Sequence, residues 1–327
     1  MRVSLAAKRE GVVRKVAATS PGRTRSVVGL ARACHPGPVV AVSTAAVGYA
    51  LAIGCTRREA IRVGLAVSSG QLAIGWQNDW TDAVRDQLGG RRDKPIPNGE
   101  VTRSLVGTAA VLAGVCCVPA SLANGRTAGL THLAAVLSAA SYNAGLKSTP
   151  ASFVPYAFSF SLLPVFVQLS REDASFPPAW APAAAGALGV AAHLLNALPD
   201  RDLDRSLGIL GLPQRLSRER SLALAGVLLV ASSGLVSFAP RRREVLGPLG
   251  FLASFALAGA AVHAGRARDD RRAFRLVLVL ALLDVARLLL EGGRVRDSAS
   301  WVPGSDEGVV CLAGGQSAGP LETFGHR

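Results

Sequence analysis

Nine apolar stretches, many close to the length of a bilayer crossing, divide this chain and leave room for little but a helical membrane bundle. They run at roughly 38–54, 59–77, 104–122, 127–144, 151–169, 179–198, 221–239, 245–265 and 273–290. A helix of ~20 apolar residues spans the hydrocarbon of a bilayer. Inside that layer every backbone amide must be satisfied within the segment, which a helix does. The pieces between the stretches are short, so one polytopic domain is expected rather than several. Half of the residues are hydrophobic and 18% are charged, less charge than a soluble domain carries. Ala and Gly dominate the stretches, and small residues let membrane helices approach closely. The expected fold is all-α: a compact bundle of about nine transmembrane helices over residues 38–291.

The net charge is +14. The basic residues are spread over loops beside apolar spans, with no aromatic platform. That pattern excludes a nucleic-acid partner and favours the positive-inside rule. With nine spans and the N-terminus inside, most of the 36 Lys and Arg fall on the cytoplasmic side. The bias is not clean, since Arg241, Arg242 and Arg243 fall together on the predicted outside. The expectation is a multi-pass protein of the plasma membrane with a cytoplasmic N-terminus. Residues 1–37 read as a basic, disordered head drawn to anionic lipid. Residues 292–327 read as a polar, disordered tail. The five cysteines show no zinc or disulfide spacing.

Two runs of one spacing stand out against this background. Asn78-x-x-x-Asp82-x-x-x-Asp86 follows the second span, and Asn196-x-x-x-Asp200-x-x-x-Asp204 follows the sixth. Residues four apart share a helix face, so each run would present an amide and two carboxylates as a stripe. Pro199 weakens this for the second run, because it can kink or end the helix. Both runs fall at the same membrane face, as does the loop after the fourth span, which carries Tyr142 and Lys147. Mg²⁺ is typically held by one or two carboxylates, waters and substrate phosphate oxygens. Arg and Lys neutralise the remaining phosphate charge, and Arg92 and Lys94 follow the first run. Asp202 reads as a solvated partner of Arg201 or Arg205. A P-loop and H-E-x-x-H are both missing from the chain.

The paired runs resemble the two Asp-rich motifs of the UbiA superfamily of intramembrane prenyltransferases. Asp93-Lys94-Pro95-Ile96-Pro97-Asn98-Gly99 is similar to the family's Asn-Arg-Pro-Leu-x-x-Gly stretch. Tyr142-x-x-x-Leu146-Lys147 is similar to its Tyr-x-x-x-Leu-Lys motif, and the nine spans match its helix count. The resemblance covers about residues 38–290. It implies transfer of a prenyl group from a prenyl diphosphate to a lipophilic, usually aromatic, acceptor, with Mg²⁺ as cofactor and diphosphate released. It further implies that Asp82, Asp86, Asp200 and Asp204, with Asn78 and Asn196, serve the metal. Arg92, Lys94 and Lys147 would contact the diphosphate, and Tyr142 would line the reacting centre. Two positions depart from the pattern: Lys94 stands where Arg is frequent, and Ala197 where an acid is. A carrier of polyprenyl phosphates or a membrane scaffold is the alternative, separated from an enzyme by Mg²⁺-dependent diphosphate release. Asp284 and Arg287, three apart in the last span, are expected to form a structural ion pair. His132, His193 and His263 are single, without ligand spacing. Trp76 and Trp80 read as interfacial anchors.

Overall fold

The computed structural model describes residues 22–238 and 246–290. The expectations for the head up to residue 21, for Arg241–Arg243 and for the tail from residue 292 lie outside these. Every described element is helical. In chain order they are α1 (Arg23–Ala33), α2 (Pro36–Ala52), α3 (Arg57–Leu88), α4 (Arg103–Leu122), α5 (Arg126–Ala144), α6 (Val154–Leu169) and α7 (Trp180–Asn196), then the short α8 (Arg201–Ser206) and α9 (Leu212–Arg215), and last α10 (Arg218–Phe238), α11 (Leu246–Arg266) and α12 (Asp270–Leu290). Two 3₁₀ turns, Leu146–Ser148 and Pro150–Phe153, join α5 to α6. Nine of the described helices have 16 residues or more, and each coincides with one of the nine apolar stretches.

The largest departure is α3. Its apolar stretch stops near Gln77, but the helix runs for 32 residues, to Leu88. A capping box starts it: the Thr56 hydroxyl accepts from the Glu59 amide, and the Glu59 carboxylate accepts from the Thr56 amide at 2.7 Å. No Gly or Pro interrupts it between Trp76 and Gly89, so about three polar turns project beyond the apolar part. The first acidic run rides on those turns. The second run is different. α7 ends at Asn196, Pro199 breaks the ladder, and α8 begins at Arg201. The expected continuous stripe is therefore split. Asn196 ends one helix, Asp200 caps the next and Asp204 lies inside it. The head also needs correction, since Arg23–Ala33 is a helix and not a disordered segment. Trp76 Nε1 donates to the Leu30 carbonyl at 2.9 Å, which pins α1 to α3.

The helices close into a ring. α2, α3, α5, α6, α7, α10 and α12 each pack on their neighbours, and α12 returns to α2. α4 packs outside against α3 and α5, and α11 outside against α10 and α12. One apolar core joins α2, α3 and α6 around Ile53, Val63, Val67 and Phe166. A second joins α7, α10, α11 and α12 around Leu194, Leu195, Leu229 and Leu280. Many large apolar side chains point outward instead, among them Val111, Val115, Leu137, Val227 and Leu252. In water such a surface would drive aggregation, whereas in lipid it costs nothing. Four helical segments are long and apolar enough to cross a membrane: Arg103–Leu122, Pro150–Leu169, Arg218–Phe238 and Gly247–Arg266. The chain is an integral membrane protein of the all-helical class.

Candidate active site

The ring encloses a cavity of about 1320 Å³. Its walls come from α2, α3, α5, α6, α7, α10 and α12, and no residue of α4 or α11 reaches it. Apolar and small side chains line most of it. One end is crowded with charge, and all ten site residues expected from the sequence line the cavity: Asn78, Asp82, Asp86, Arg92, Lys94, Tyr142, Lys147, Asn196, Asp200 and Asp204.

The last turns of α3 bring Asn78, Asp82 and Asp86 to this end. Asn78 Nδ2 donates to Asp82 at 3.3 Å and to Asn143 Oδ1 of α5 at 3.1 Å. Gly145 ends α5 with φ 150°, a conformation that side-chain-bearing residues rarely adopt. The turn it permits carries Lys147 back over α3, where its ammonium pairs with Asp82. Arg85 lies between the two runs. Its guanidinium is 2.5 Å from Asp82, 3.7 Å from Asp86 and 4.0 Å from Asp204. Arg91 makes the other bridge, pairing with Asp200 and, at 2.9 Å, with Asp93. Asp93 in turn accepts from Arg271 of α12 at 3.3 Å.

The two runs thus meet through basic residues. Neither Arg85 nor Arg91 was among the expected site residues. Arg85 was legible, because it stands three residues after Asp82 on the same helix. Arg91 was not separable from Arg92 by sequence. The structure leaves Arg92 exposed at the cavity edge with no hydrogen bond or ion pair among the described residues, and gives the bridging position to Arg91. Lys94 has a partner that the sequence did not announce. Its ammonium donates to the buried Asp79 at 2.7 Å, and His35 Nε2 lies 2.9 Å from the same oxygen. No spacing rule would have joined His35 to Asp79, which is 44 residues away. Asp202 is 86% exposed beside Arg201, as the solvated reading has it. Trp80 stacks under the Arg103 guanidinium at 5.0 Å.

Burial sets the electrostatics. It pushes the Asp86 carboxyl up to about 6; Lys94 draws it down and the Asp82 carboxylate beside it pushes it further up. Asp204 is raised for the same first reason, against the pull of Arg85. Lys147 is lowered by burial, with Asp82 opposing. The Arg91 guanidinium holds Asp93 down at about 2.

A second set of contacts holds this arrangement from behind. His193 is buried in α7, and its Nε2 lies 3.0 Å from the Ser152 hydroxyl. That hydroxyl accepts from the Leu212 amide at 2.8 Å, which seats α9. From α9, Gln214 Nε2 donates to Asp204 at 3.0 Å. The rings of Tyr142 and Tyr156 pack on the His193 ring, with centroids at 5.5 and 4.7 Å. His193 therefore sits behind the site and supports Tyr142. Replacing Ser152 by Ala would strand a buried amide and a buried imidazole nitrogen. The expected cost is about 1–3 kcal/mol, read as a lowered Tm of the protein in detergent, and an unchanged Tm would remove this link from the account.

The donor set suits a hard cation that shares its coordination with phosphate. Among the described residues no three His, Cys, Asp or Glu side chains converge on one point as an all-protein cage would require. Mg²⁺ needs no such cage, because it keeps waters and substrate oxygens and takes one or two carboxylates. Four carboxylates and two carboxamides at one cavity end fit that mode.

An all-helical membrane bundle around a cavity with paired acidic runs and basic bridges at one end defines the class. The model of the UbiA prenyltransferase family matches residues 41–283, and the chain belongs to that family. No curated protein matches it. Among solved structures, the apo form of a UbiA homologue from Aeropyrum pernix K1 is similar over 77% of this chain and 97% of its own, with TM-score 0.66 at 17% identity. A UbiA homologue from Archaeoglobus fulgidus bound to DMAPP and Mg²⁺ covers 82% and 99%, with TM-score 0.62 at 16% identity. A structure of digeranylgeranylglyceryl phosphate synthase covers 83% and 99%, with TM-score 0.59 at 12% identity. These likenesses establish the shared fold.

Proposed function

We propose that this protein is a Mg²⁺-dependent prenyltransferase that moves the prenyl group of a prenyl diphosphate to a lipophilic, aromatic acceptor and releases diphosphate. The observation that carries this reading is the convergence of both acidic runs, through Arg85, Arg91 and Lys147, on the charged end of an otherwise apolar cavity. Family membership and the Mg²⁺ and DMAPP of the Archaeoglobus fulgidus homologue support it. Asp82, Asp86, Asp200 and Asp204, with Asn78 and Asn196, would hold the metal. Bound there, Mg²⁺ neutralises phosphate charge and so stabilises diphosphate as a leaving group.

The chain's own groups do the rest. Lys147, Arg85, Arg91 and Arg92 supply positive charge to the phosphate oxygens. Lys94, anchored by Asp79, adds to the field from the cavity mouth. The apolar walls take the prenyl chain and exclude water from the allylic carbon. Tyr142 places its ring beside that carbon, where the electron-rich face stabilises developing cation character. The carbon–oxygen bond breaks with its electron pair going to diphosphate. The acceptor then forms the new bond to carbon and gives up a proton. All nine long helices cross the bilayer in this reading, with the N-terminus and the site on the cytoplasmic side of the plasma membrane.

The test is diphosphate release by purified protein in lipid, offered prenyl diphosphates and a crude acceptor extract with and without Mg²⁺. Release that needs Mg²⁺ supports the enzyme. Donor binding with no release in any extract would favour a carrier. A pH dependence should accompany release. Asp86, at about 6, is protonated below that pH. Its proton competes with the metal, so apparent Mg²⁺ affinity rises with pH and levels off above 6 to 7. Between pH 7 and pH 5 the half-saturating Mg²⁺ concentration should increase about tenfold for one competing proton. A flat profile would remove Asp86 from the metal set.

A further inference from the structure

One polar cluster takes no part in the proposed chemistry. Asp284 and Arg287 in α12 are buried, at 6% and 7% exposure, deep in a wall made otherwise of apolar residues. Asp284 Oδ1 accepts from Arg287 Nη1 at 3.0 Å and from the Ser254 hydroxyl at 2.8 Å. Its Oδ2 accepts from the Ser233 hydroxyl at 3.0 Å. Arg287 Nη2 donates to Ser237 Oγ at 2.9 Å. Helices α10, α11 and α12 all contribute. At Gly250 a Cβ would come within 1.9 Å of the Arg287 guanidinium, so that position makes room for the arginine. A charged pair inside a membrane bundle is expensive, and apolar residues of equal volume would pack the helices as well or better. A role in the cavity explains its presence, because Asp284 lines the cavity and the rest of the cluster holds it there.

The depth is fixed by two helices that both start at the charged end. Arg271, near the start of α12, reaches Asp93, and His35, just before α2, reaches Asp79. From Arg271 the cavity-lining residues of α12 run Phe274, Val277, Leu278 and Ala281, all apolar, and then Asp284. At about 1.5 Å per residue Asp284 lies roughly 20 Å along the helix from Arg271. Tyr49 of α2 lines the cavity at the matching depth. An extended chain advances about 1.2 Å per bond. An isoprene unit adds four chain bonds, so about four units fill that distance.

We infer that Asp284, held by Arg287 and the three serines, is the polar floor of the prenyl-chain site, and that it limits the donor to about four isoprene units. This rests on the prenyl-donor reading above. A chain of up to four units meets a cavity lined mostly by apolar and small side chains, and on α12 only Phe274, Val277, Leu278 and Ala281, before it reaches a charge. A longer one must press its apolar end against a carboxylate whose hydrogen bonds it cannot replace, or fold back on itself.

Binding of non-reactive prenyl thiolodiphosphates with Mg²⁺, measured calorimetrically on the full chain in lipid nanodiscs, tests this without knowledge of the acceptor. In the wild type, affinity should rise from one to four units and fall at least tenfold at six. The double variant Asp284→Leu with Arg287→Leu removes both charges and should recover the six-unit ligand at least tenfold, with two-unit binding unchanged. Ala281→Phe, one turn nearer the charged end, should shorten the limit by one unit and weaken the four-unit ligand about tenfold. It leaves the ion pair intact, so it serves where the double variant fails to fold. A wild type that binds six units as tightly as four overturns the floor, as does an Ala281→Phe profile unchanged in length preference. Failure to bind any chain length with Mg²⁺ would instead overturn the donor reading, and the floor with it.

Discussion

Asp82→Ala is expected to lower Mg²⁺-dependent diphosphate release by about a thousandfold or more, equivalent to roughly 4 kcal/mol of transition-state stabilisation. Asp82 is the most connected carboxylate of the site, touching Asn78, Arg85 and Lys147. Its loss removes a metal ligand and the partner of two cations together. Folding should survive, because the side chain faces the cavity and the helix around it is long. Asp200→Ala should act in the same direction, with Arg91 losing its bridge to the second run. The check is single-turnover diphosphate release at saturating donor, alongside far-UV circular dichroism. If both variants kept activity near the wild-type level, the metal assignment would be wrong.

Lys147→Ala is the second large effect. Its ammonium is buried and paired with Asp82, and no other basic side chain lies in its loop. Removing it takes away a charge-assisted contact to phosphate and leaves Arg85 as the one cation paired with Asp82 among the described residues. The apparent KM for the prenyl donor should rise about 10- to 100-fold, or roughly 1.4–2.7 kcal/mol, with a smaller fall in kcat. Lys147→Arg should restore part of this, since the charge returns with a different reach. A donor KM that did not move would place Lys147 in a structural role only.

How much of this was legible in the chain depends on the range of the interaction. The nine long helices were legible because hydrocarbon length and backbone satisfaction are local constraints. Each apolar stretch meets its observed helix to within a few residues at all ends but one. That end is α3, where the polar extension has no apolar signal to announce it and continues because nothing breaks it. The acidic runs were legible from a repeat of four. Pro199 was readable as a break, but where the chain went after it was not.

The bridges between the runs were out of reach. Arg91 rather than Arg92 meets Asp200, 109 residues away, because the turn after Gly90 aims one guanidinium inward and the other out. His35 meets Asp79 because α1 is pinned over the end of α3, a packing choice no local pattern encodes. Gln214 reaches Asp204 because the Ser152 hydroxyl seats α9.

Composition and period alone determined that this chain makes an all-helical membrane bundle and which carboxylates gather at one end, since both follow from the bilayer's thickness and the helix's repeat. Tertiary structure alone decided which cation faces which carboxylate, that His193 stands behind Tyr142 rather than in the site, and that Asp284 lines the same cavity well away from its charged end. Those facts depend on how separate helices rotate and close against one another, and that rotation is set by packing summed over the whole ring.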